Sequence, residues 1–281
     1  MQRELPSFDL VVATVGRVEE LGLLLASLES QTHRNLRVIL IDQNPDDRLD
    51  RVLGDTALDV LRLSSEVGLS RGRNAALEHV VADIVAFPDD DCVYPEDLLE
   101  RVAARLGGEP GFDGLTGRAA DQAGRWSASW KPDAATLTDE NLWNRAISFT
   151  IFLRRSVIER VGMFDEQLGL GSSEPWSSGE EIDYLIRAVR AGARIEYDPS
   201  LVVQHEVGRD DARIRRRDGA SVGYLLRKHS YPARTVGRML ARPVGGALVS
   251  LARLDPARAR FHAATLRGRI AGYRRAGRRP A

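Results

Sequence analysis

Three adjacent carboxylates, Asp89-Asp90-Asp91, follow the apolar run Ile84 to Phe87 and Pro88. Like charges this close repel and raise one another's pKa values, so the string is costly unless something neutralises it. A divalent cation removes that cost. Hard oxygen ligands suit Mg2+ or Mn2+, and either ion would neutralise a diphosphate leaving group. The competing reading is a solvated turn whose aspartates cap a helix starting near Pro95. A second acidic group, Glu180-Glu181 with Asp183, opens a helical pattern. Carboxylates in a first helical turn are favoured by the helix dipole alone, so this cluster also has a purely structural explanation. A third motif, Gly68-Leu69-Ser70-Arg71-Gly72, fits the G-x-S-x-G turn that presents a serine nucleophile between a strand and a helix.

The elements that must position these residues alternate as successive βαβ units. Phe8 to Ala13 reads as a strand ending at Thr14, and Arg17 to Ser30 as a helix with Leu21, Leu24, Leu25 and Leu28 on one face. Leu36 to Ile41 is a second strand ending at Asp42, and Ala57 to Leu63 a weaker third. Ser70 to Val81 is a helix, Ile84 to Phe87 a short buried strand, and Glu96 to Leu106 a helix with Pro95 at its first position. In open parallel sheets ligands collect beyond the carboxyl ends of the strands, where Thr14, Asp42 and Asp89 all fall. Residues 107–142 read as loops with short strands. Ala146 to Leu153 is then a strand, Arg155 to Val161 a helix, Gly162 to Ser178 a long loop, Glu180 to Ala191 a helix, and Arg194 to Val203 a last strand.

With 43% hydrophobic and 28% charged residues, the 281-residue chain falls in the ordinary globular class. Its formal net charge of zero hides an asymmetry: from Val207 onward there are 19 Lys+Arg against 4 Asp+Glu, so an acidic body carries a basic arm. The single cysteine, Cys92, excludes an internal disulfide framework and a Cys-rich zinc site, and it is expected to pack quietly behind the aspartates. Met1 to Asp9 has no apolar core of signal-peptide length, and no charge-poor apolar run reaches the ~18 residues of a membrane span.

Five motifs follow one another as FDLVVATVGR (Phe8 to Arg17), GLSRGRNAAL (Gly68 to Leu77), FPDDDCVYPEDLL (Phe87 to Leu99), VGMFDEQLGLG (Val161 to Gly171) and SGEEIDYLIRAVRAG (Ser178 to Gly192). In content and order they resemble the family-2 glycosyltransferases of the GT-A fold, over roughly residues 8 to 206. The resemblance implies an α/β fold with a mostly parallel, Rossmann-like central sheet flanked by helices. Residues 1–206 would form the catalytic domain, divided into a nucleotide-sugar-binding part to about 106 and an acceptor-binding part after it. Residues 207–281 would form a basic helical extension.

The resemblance also implies roles. Thr14 and Asp42 would line the nucleotide pocket, with Asp42 accepting a hydrogen bond from the base. Arg73 and Asn74 lie where the family's donor-contacting loop and helix fall. Asp89 would face the ribose and Asp91 bind the metal, Mn2+ or Mg2+; Asp90 joins the donor-binding group without a settled partner. His205, in Gln204-His205-Glu206, stands where similar members complete the metal site. Inverting transfer needs a base for the acceptor hydroxyl, and in the family this is the last acid of a Glu-Asp pair at a helix start. Here the pair is Glu180-Glu181, which makes Glu181 the expected base and Glu180 an orienting residue, with Asp183 in support. Trp176, in the loop before that helix, either stacks on an acceptor sugar or packs down as an anchor. Trp126, Trp130 and Trp143 are weaker acceptor-side candidates.

The implied partners are a UDP-, dTDP- or GDP-sugar donor and a saccharide or lipid-linked acceptor, in cell-surface polysaccharide or glycolipid synthesis. In the basic arm, Arg213, Arg215, Arg216, Arg217, Arg227 and Lys228 precede an apolar stretch from Val236 to Leu251 that is interrupted by Pro243, and arginines continue to Arg279. This suits an interfacial helix on an anionic membrane, and so a cytoplasmic protein peripheral to the inner face of the cell membrane. A helix docked on the catalytic body or a homodimer contact are the alternatives. No nucleic-acid fold signature accompanies the charge, so nucleic-acid binding is not expected. Two competing functions remain: a serine hydrolase using Ser70 and His205, and a non-catalytic module that binds sugar nucleotides.

Overall fold

The computed structural model describes residues 5–108, 111–126, 130–206 and 212–276. The first four residues, Val207 at the expected domain boundary, and Arg278 and Arg279 of the basic arm lie outside them. The chain divides into two units, residues 1–164 with 184–207, and residues 165–183 with 208–281.

The first unit is built on a nine-stranded sheet. Its strands are β1 (Phe8–Thr14), β2 (Leu36–Asp42), β3 (Val60–Ser64), β4 (Ile84–Ala86), β5 (Cys92–Val93), β6 (Gly114–Ala120), β7 (Ala135–Thr136), β8 (Ile151–Arg154) and β9 (Ile195–His205). They run in the order β3-β2-β1-β4-β8-β6-β9-β5, with β7 also on β9. β3, β2, β1 and β4 are mutually parallel, β6 and β9 are parallel to each other, and β8, β5 and β7 run against their neighbours. The mostly parallel α/β sheet expected from the sequence is therefore present, with flanking helices α1 (Val18–Glu29), α2 (Asp50–Gly54), α3 (Leu69–Leu77), α4 (Leu98–Gly107) and α5 (Arg155–Val161).

The core follows the apolar runs. Leu10 and Val12 of β1, Val38 and Leu40 of β2, and Leu21, Leu24, Leu25 and Leu28 of α1 are all buried in one cluster. At about 1.5–3 kcal/mol for each fully buried leucine, that face outweighs the propensities of the remaining helix positions. Three element boundaries differ from those expected. α3 stops at Leu77 rather than Val81, because the buried Asp9 carboxylate accepts the N–H groups of Val81 and Ala82. α4 begins at Leu98, not Glu96, and Pro95 sits in the preceding turn, its carbonyl accepting from Leu98 N. The first half of the expected strand 146–153 is a 3-10 turn, Ser148–Thr150, held by Thr150 Oγ1 donating to the Ile147 carbonyl.

Helix α6 (Glu180–Arg190) starts in the second unit, which runs to Asp183, and continues in the first from Tyr184. The glycine before it, Gly179, has φ +85, and a Cβ there would lie 3.3 Å from Leu225 and 3.4 Å from Ser221, a position that a side chain would strain. The rest of the second unit consists of α7 (Ala212–Lys228), α8 (Ala233–Ala252) and α9 (Pro256–Ala276). α7 and α9 approach at backbone distance through Gly219 and Gly223 on one helix and Gly268 and Gly272 on the other. A Cβ at Gly223 would lie 2.0 Å from the Arg269 carbonyl oxygen, and one at Gly272 would lie 1.9 Å from that of Ala220.

Pro243 lies inside α8 instead of interrupting it. Proline cannot donate to the carbonyl four residues back, that of Met239. Arg269 of α9 donates its Nη1 to that carbonyl instead. Burial, together with Arg242, draws the Arg269 guanidinium down to about 10, so it still carries its charge at neutral pH. No helix among the described residues is long and apolar enough to cross a membrane.

Candidate active site

Register explains how residues distant in sequence meet. Thr14 and Asp42 are direct partners on the parallel strands β1 and β2, and Leu10 pairs with Ala86, so the chain leaving β4 passes beside the end of β1. Thr14 Oγ1 donates to Asp90 Oδ2 at 2.7 Å. β5 pairs antiparallel with β9, and Cys92 faces His205 across that pair. The imidazole therefore stands beside the residue before Cys92: His205 Nε2 lies 3.0 Å from Asp91 Oδ1. Phe149 stacks on the other side of the ring, with centroids 4.7 Å apart and planes 8° from parallel.

Each aspartate has different partners. Asp89 Oδ1 accepts from Ser148 Oγ at 3.0 Å and from Arg73 Nη2 at 3.2 Å. Asp90 is buried and accepts from Thr14 and from Arg17 Nη1 at 2.9 Å, and Arg17 also pairs with Asp91. Burial pushes the Asp90 carboxyl above its usual range against the pull of Thr14 and Arg17. Burial also acts upward on Asp91, but His205 and Arg17 outweigh it and hold that carboxyl below its usual range. His205 is the mirror case: burial disfavours the imidazolium, and Asp91 followed by Asp89 raises its pKa. The repulsion anticipated for three adjacent acids is thus relieved by two arginines, Arg73 and Arg17, and one histidine.

Asp89, Asp91 and His205 each offer a ligand atom within 4.8 Å of the other two. Ligand atoms about 2.1 Å from a shared octahedral ion stand about 3 to 4.2 Å apart, so two hard oxygens and one imidazole fit a divalent cation after a small contraction. Nearby, Asp42 is almost fully buried and its carboxylate accepts four bonds, two from Asn44 and two from Arg62, the shortest at 2.6 Å. Arg73 is buried between the rings of Phe87 and Phe164. Asn74 clamps the Phe164 backbone, accepting from its N–H at 2.7 Å and donating to its carbonyl at 3.1 Å. Cys92 is buried and its thiol is pushed well up, first by burial and then by Asp89, which suits packing and not nucleophilic chemistry. Ser70 is buried in the first turn of α3, whereas a nucleophile elbow exposes its serine.

The expected residues at the start of α6 and in the loop before it belong to the second unit. Glu180 is buried and Glu181 half-buried in the first turn of α6. Asp183 is fully buried, and its Oδ1 accepts from Lys228 Nζ at 2.6 Å and lies 2.8 Å from His229 Nε2, which ties it to the end of α7. Trp176 is fully buried and stacks on Tyr224, with centroids 4.4 Å apart, so no exposed face is left for a sugar. In the first unit, Trp130 stacks on Tyr197, Trp143 Nε1 donates to the Asp139 carbonyl, and Trp126 is exposed beneath the Arg118 guanidinium.

Residues 9–162 match the family described as glycosyl transferase family 2. The chain belongs to that family. Among its relatives, the pre-mycofactocin glycosyltransferase of Mycobacterium tuberculosis (strain H37Rv) is 28% identical over 240 residues, covering 77% of this chain and 47% of the relative. The chain thus spans about half the length of that mycobacterial protein. The glycosyltransferase AglE of Haloferax volcanii is 24% identical over 217 residues, 73% of this chain and 68% of its own length. Among solved structures, the mannosyltransferase PcManGT from Pyrobaculum calidifontis, in complex with GDP-Man and Mn2+, superposes with a TM-score of 0.68 at 14% identity over 96% of this chain and 88% of that one. S. aureus TarS 1-349 in complex with UDP gives 0.59 at 18% identity over 93% and 90%. These likenesses establish that the family-2 chain has the GT-A architecture.

Arg17, Ser148 and Arg62 are site residues that sequence reasoning did not single out. Arg17 closes the first of the family motifs, so a signal was present. Ser148 and Arg62 carried none, because their partners Asp89 and Asp42 are set by the sheet.

Proposed function

We propose that this family-2 chain is an inverting glycosyltransferase. It moves a sugar from a UDP-, dTDP- or GDP-linked donor to a hydroxyl of a saccharide or lipid-linked acceptor, in cell-surface polysaccharide or glycolipid synthesis. The observation that carries this reading is the convergence of Asp89, Asp91 and His205 within 4.8 Å beyond the strand ends of a GT-A sheet. A neighbour of the same fold, PcManGT, was solved with GDP-Man and Mn2+. Asp91 and His205 are the proposed ligands of Mn2+ or Mg2+, with Asp89 at hand, and the bound ion would neutralise charge on the departing nucleoside diphosphate.

Thr14, Asp42, Arg73 and Asn74 are proposed to shape the donor side. Asp42 holds its pocket wall through Arg62 and Asn44, and Arg73 keeps Asp89 oriented. The half-exposed Arg17 is proposed to release Asp91 when the cation enters. Glu181, by its place in the motif at the start of α6, is the proposed base: it takes the acceptor hydroxyl proton as the oxygen bonds to the anomeric carbon and the nucleotide departs with the bonding pair. Asp183, held by Lys228 and His229, is proposed to position that helix turn and not to move a proton. Trp176 is proposed as an anchor of the loop.

The basic arm is proposed to rest on an anionic membrane. Val244, Leu248 and Leu251, spaced four and three apart on α8, are exposed with Leu254 beyond them, and Arg242 and Arg253 flank them. The central test is a panel of UDP-, GDP- and dTDP-sugars screened for manganese-dependent thermal stabilisation. Asp91→Ala should abolish that stabilisation, and Glu181→Gln should preserve it while removing transfer. Near-normal turnover in Glu181→Gln would refute the mechanistic assignment.

A further inference from the structure

The second unit contains a cavity of about 340 Å³ between α7, α9 and the loop preceding α6, a size within the range of about 300–1,000 Å³ usual for small-ligand sites. Its charged lining is of one sign: Arg213, Arg216 and Arg217 from the start of α7 and Arg275 from the end of α9. Trp176 closes it on one side, with the Arg275 guanidinium 5.7 Å from the indole ring centre. The glycines Gly268 and Gly272 form part of its wall, and the close helix approach they permit brings the two sets of arginines to one opening.

Four guanidinium groups around one cavity repel one another, and Asp218, next to Arg217 in the chain, is shared. Asp218 lies 3.6 Å from Arg217 Nε and 3.9 Å from Arg215 Nη1, and also accepts from Ser178 Oγ. The buried Arg217 Nε makes no hydrogen bond among the described residues. A buried donor left so is destabilising, and an anion with several oxygens relieves both that defect and the repulsion. Guanidinium forks match phosphate oxygens in pairs, and the arm that carries them has 19 Lys+Arg against 4 Asp+Glu.

We propose that this cavity is a binding site for a phosphate or diphosphate group, presented either by a phospholipid headgroup or by a soluble phosphate compound. The site needs no divalent cation, because its charge comes from arginine. It is distinct in chemistry from the Asp89, Asp91 and His205 group, and its failure would leave the proposed transfer reaction untouched.

The test uses the full chain in chelator, titrated calorimetrically with inorganic pyrophosphate and, in parallel, sedimented with phosphatidylcholine vesicles with or without phosphatidic acid. Pyrophosphate should bind the wild type and Asp91→Ala alike, and about tenfold or more weakly the double variant Arg216→Ala/Arg275→Ala. Arg216→Lys/Arg275→Lys, which keeps charge and helix propensity, should bind at an intermediate level and controls for misfolding together with the circular dichroism spectrum. Vesicle binding that needs both phosphatidic acid and the two arginines assigns the site to a lipid phosphate. Pyrophosphate binding with no such vesicle dependence assigns it to a soluble one. The proposal is overturned if neither probe binds, or if both bind the folded double alanine variant as tightly as the wild type.

Discussion

The acidic cluster after β4 and the arginine-lined cavity of α7 and α9 meet opposite electrostatic problems. In the first unit, three carboxylates are brought together by strand ends, and the fold supplies its own cations, Arg17 and His205, to Asp90 and Asp91. In the second, four arginines are brought together by helix ends, and Asp218 is divided between Arg215 and Arg217. The first arrangement is largely neutralised from within, and the proposed function has it exchange Arg17 for a metal. The second has only arginines as its charged lining, which the proposed external anion would answer. Proximity of like charges is thus a clue to a ligand only after the internal counter-charges have been followed.

That contrast can be broken experimentally, beginning with the largest effect. Asp91→Ala should lower transfer by about a thousandfold or more, through loss of charge neutralisation at the leaving group, while leaving pyrophosphate binding in chelator unchanged. Initial rates and calorimetry on the same preparation would check both halves, and a parallel loss of the two would mean that the sites are not separable. Gly272→Leu should destabilise the second unit by about 1–3 kcal/mol or more, because its Cβ would sit 1.9 Å from backbone oxygen. A lower unfolding midpoint with manganese affinity retained would confine the damage to that unit. His205→Ala should weaken manganese binding about ten- to a hundredfold, read by calorimetry.

The smallest expected effect concerns pH. Burial acts upward on the Asp42 carboxyl, but Asn44 and Arg62 together hold it below the usual carboxylate range. A depressed folded pKa contributes stability above the unfolded value of about 3.9, and that contribution disappears as pH falls through the folded value. Arg62→Met should therefore lower the melting temperature at pH 7, and the difference from wild type should shrink below about pH 4. A pH-independent difference would assign Arg62 a packing role only.

Much of the parallel half of the sheet was legible because its signal is local. β1, β2 and β4 are apolar runs bounded by polar residues, and each ends where Thr14, Asp42 and the aspartates begin. β5 was not legible: two residues carry no periodicity, and Cys92–Val93 is a strand only because β9 lies beside it. The same pairing carries His205 to Asp91. α3 was read too long because helix propensity continues past Leu77, whereas the competing acceptor for the next N–H groups is Asp9 on β1. The glycines of α7 and α9 stand four apart in the sequence, but a spacing on one helix does not name the helix it will meet.

The sequence by itself determined the family, the strand ends that carry Thr14, Asp42 and Asp89, the acidic start of α6 and the basic character of the arm. These depend on residue type and on periods of two or about 3.6 residues, which are properties of short stretches. Only the tertiary structure decided how the charges are distributed. It gives Arg17 to Asp90 and Asp91, Arg62 to Asp42, Lys228 and His229 to Asp183, and it leaves a group of arginines around a cavity. The reason is that a charge is stabilised by whatever the register and helix packing bring within a few ångströms, and those partners are remote in the chain.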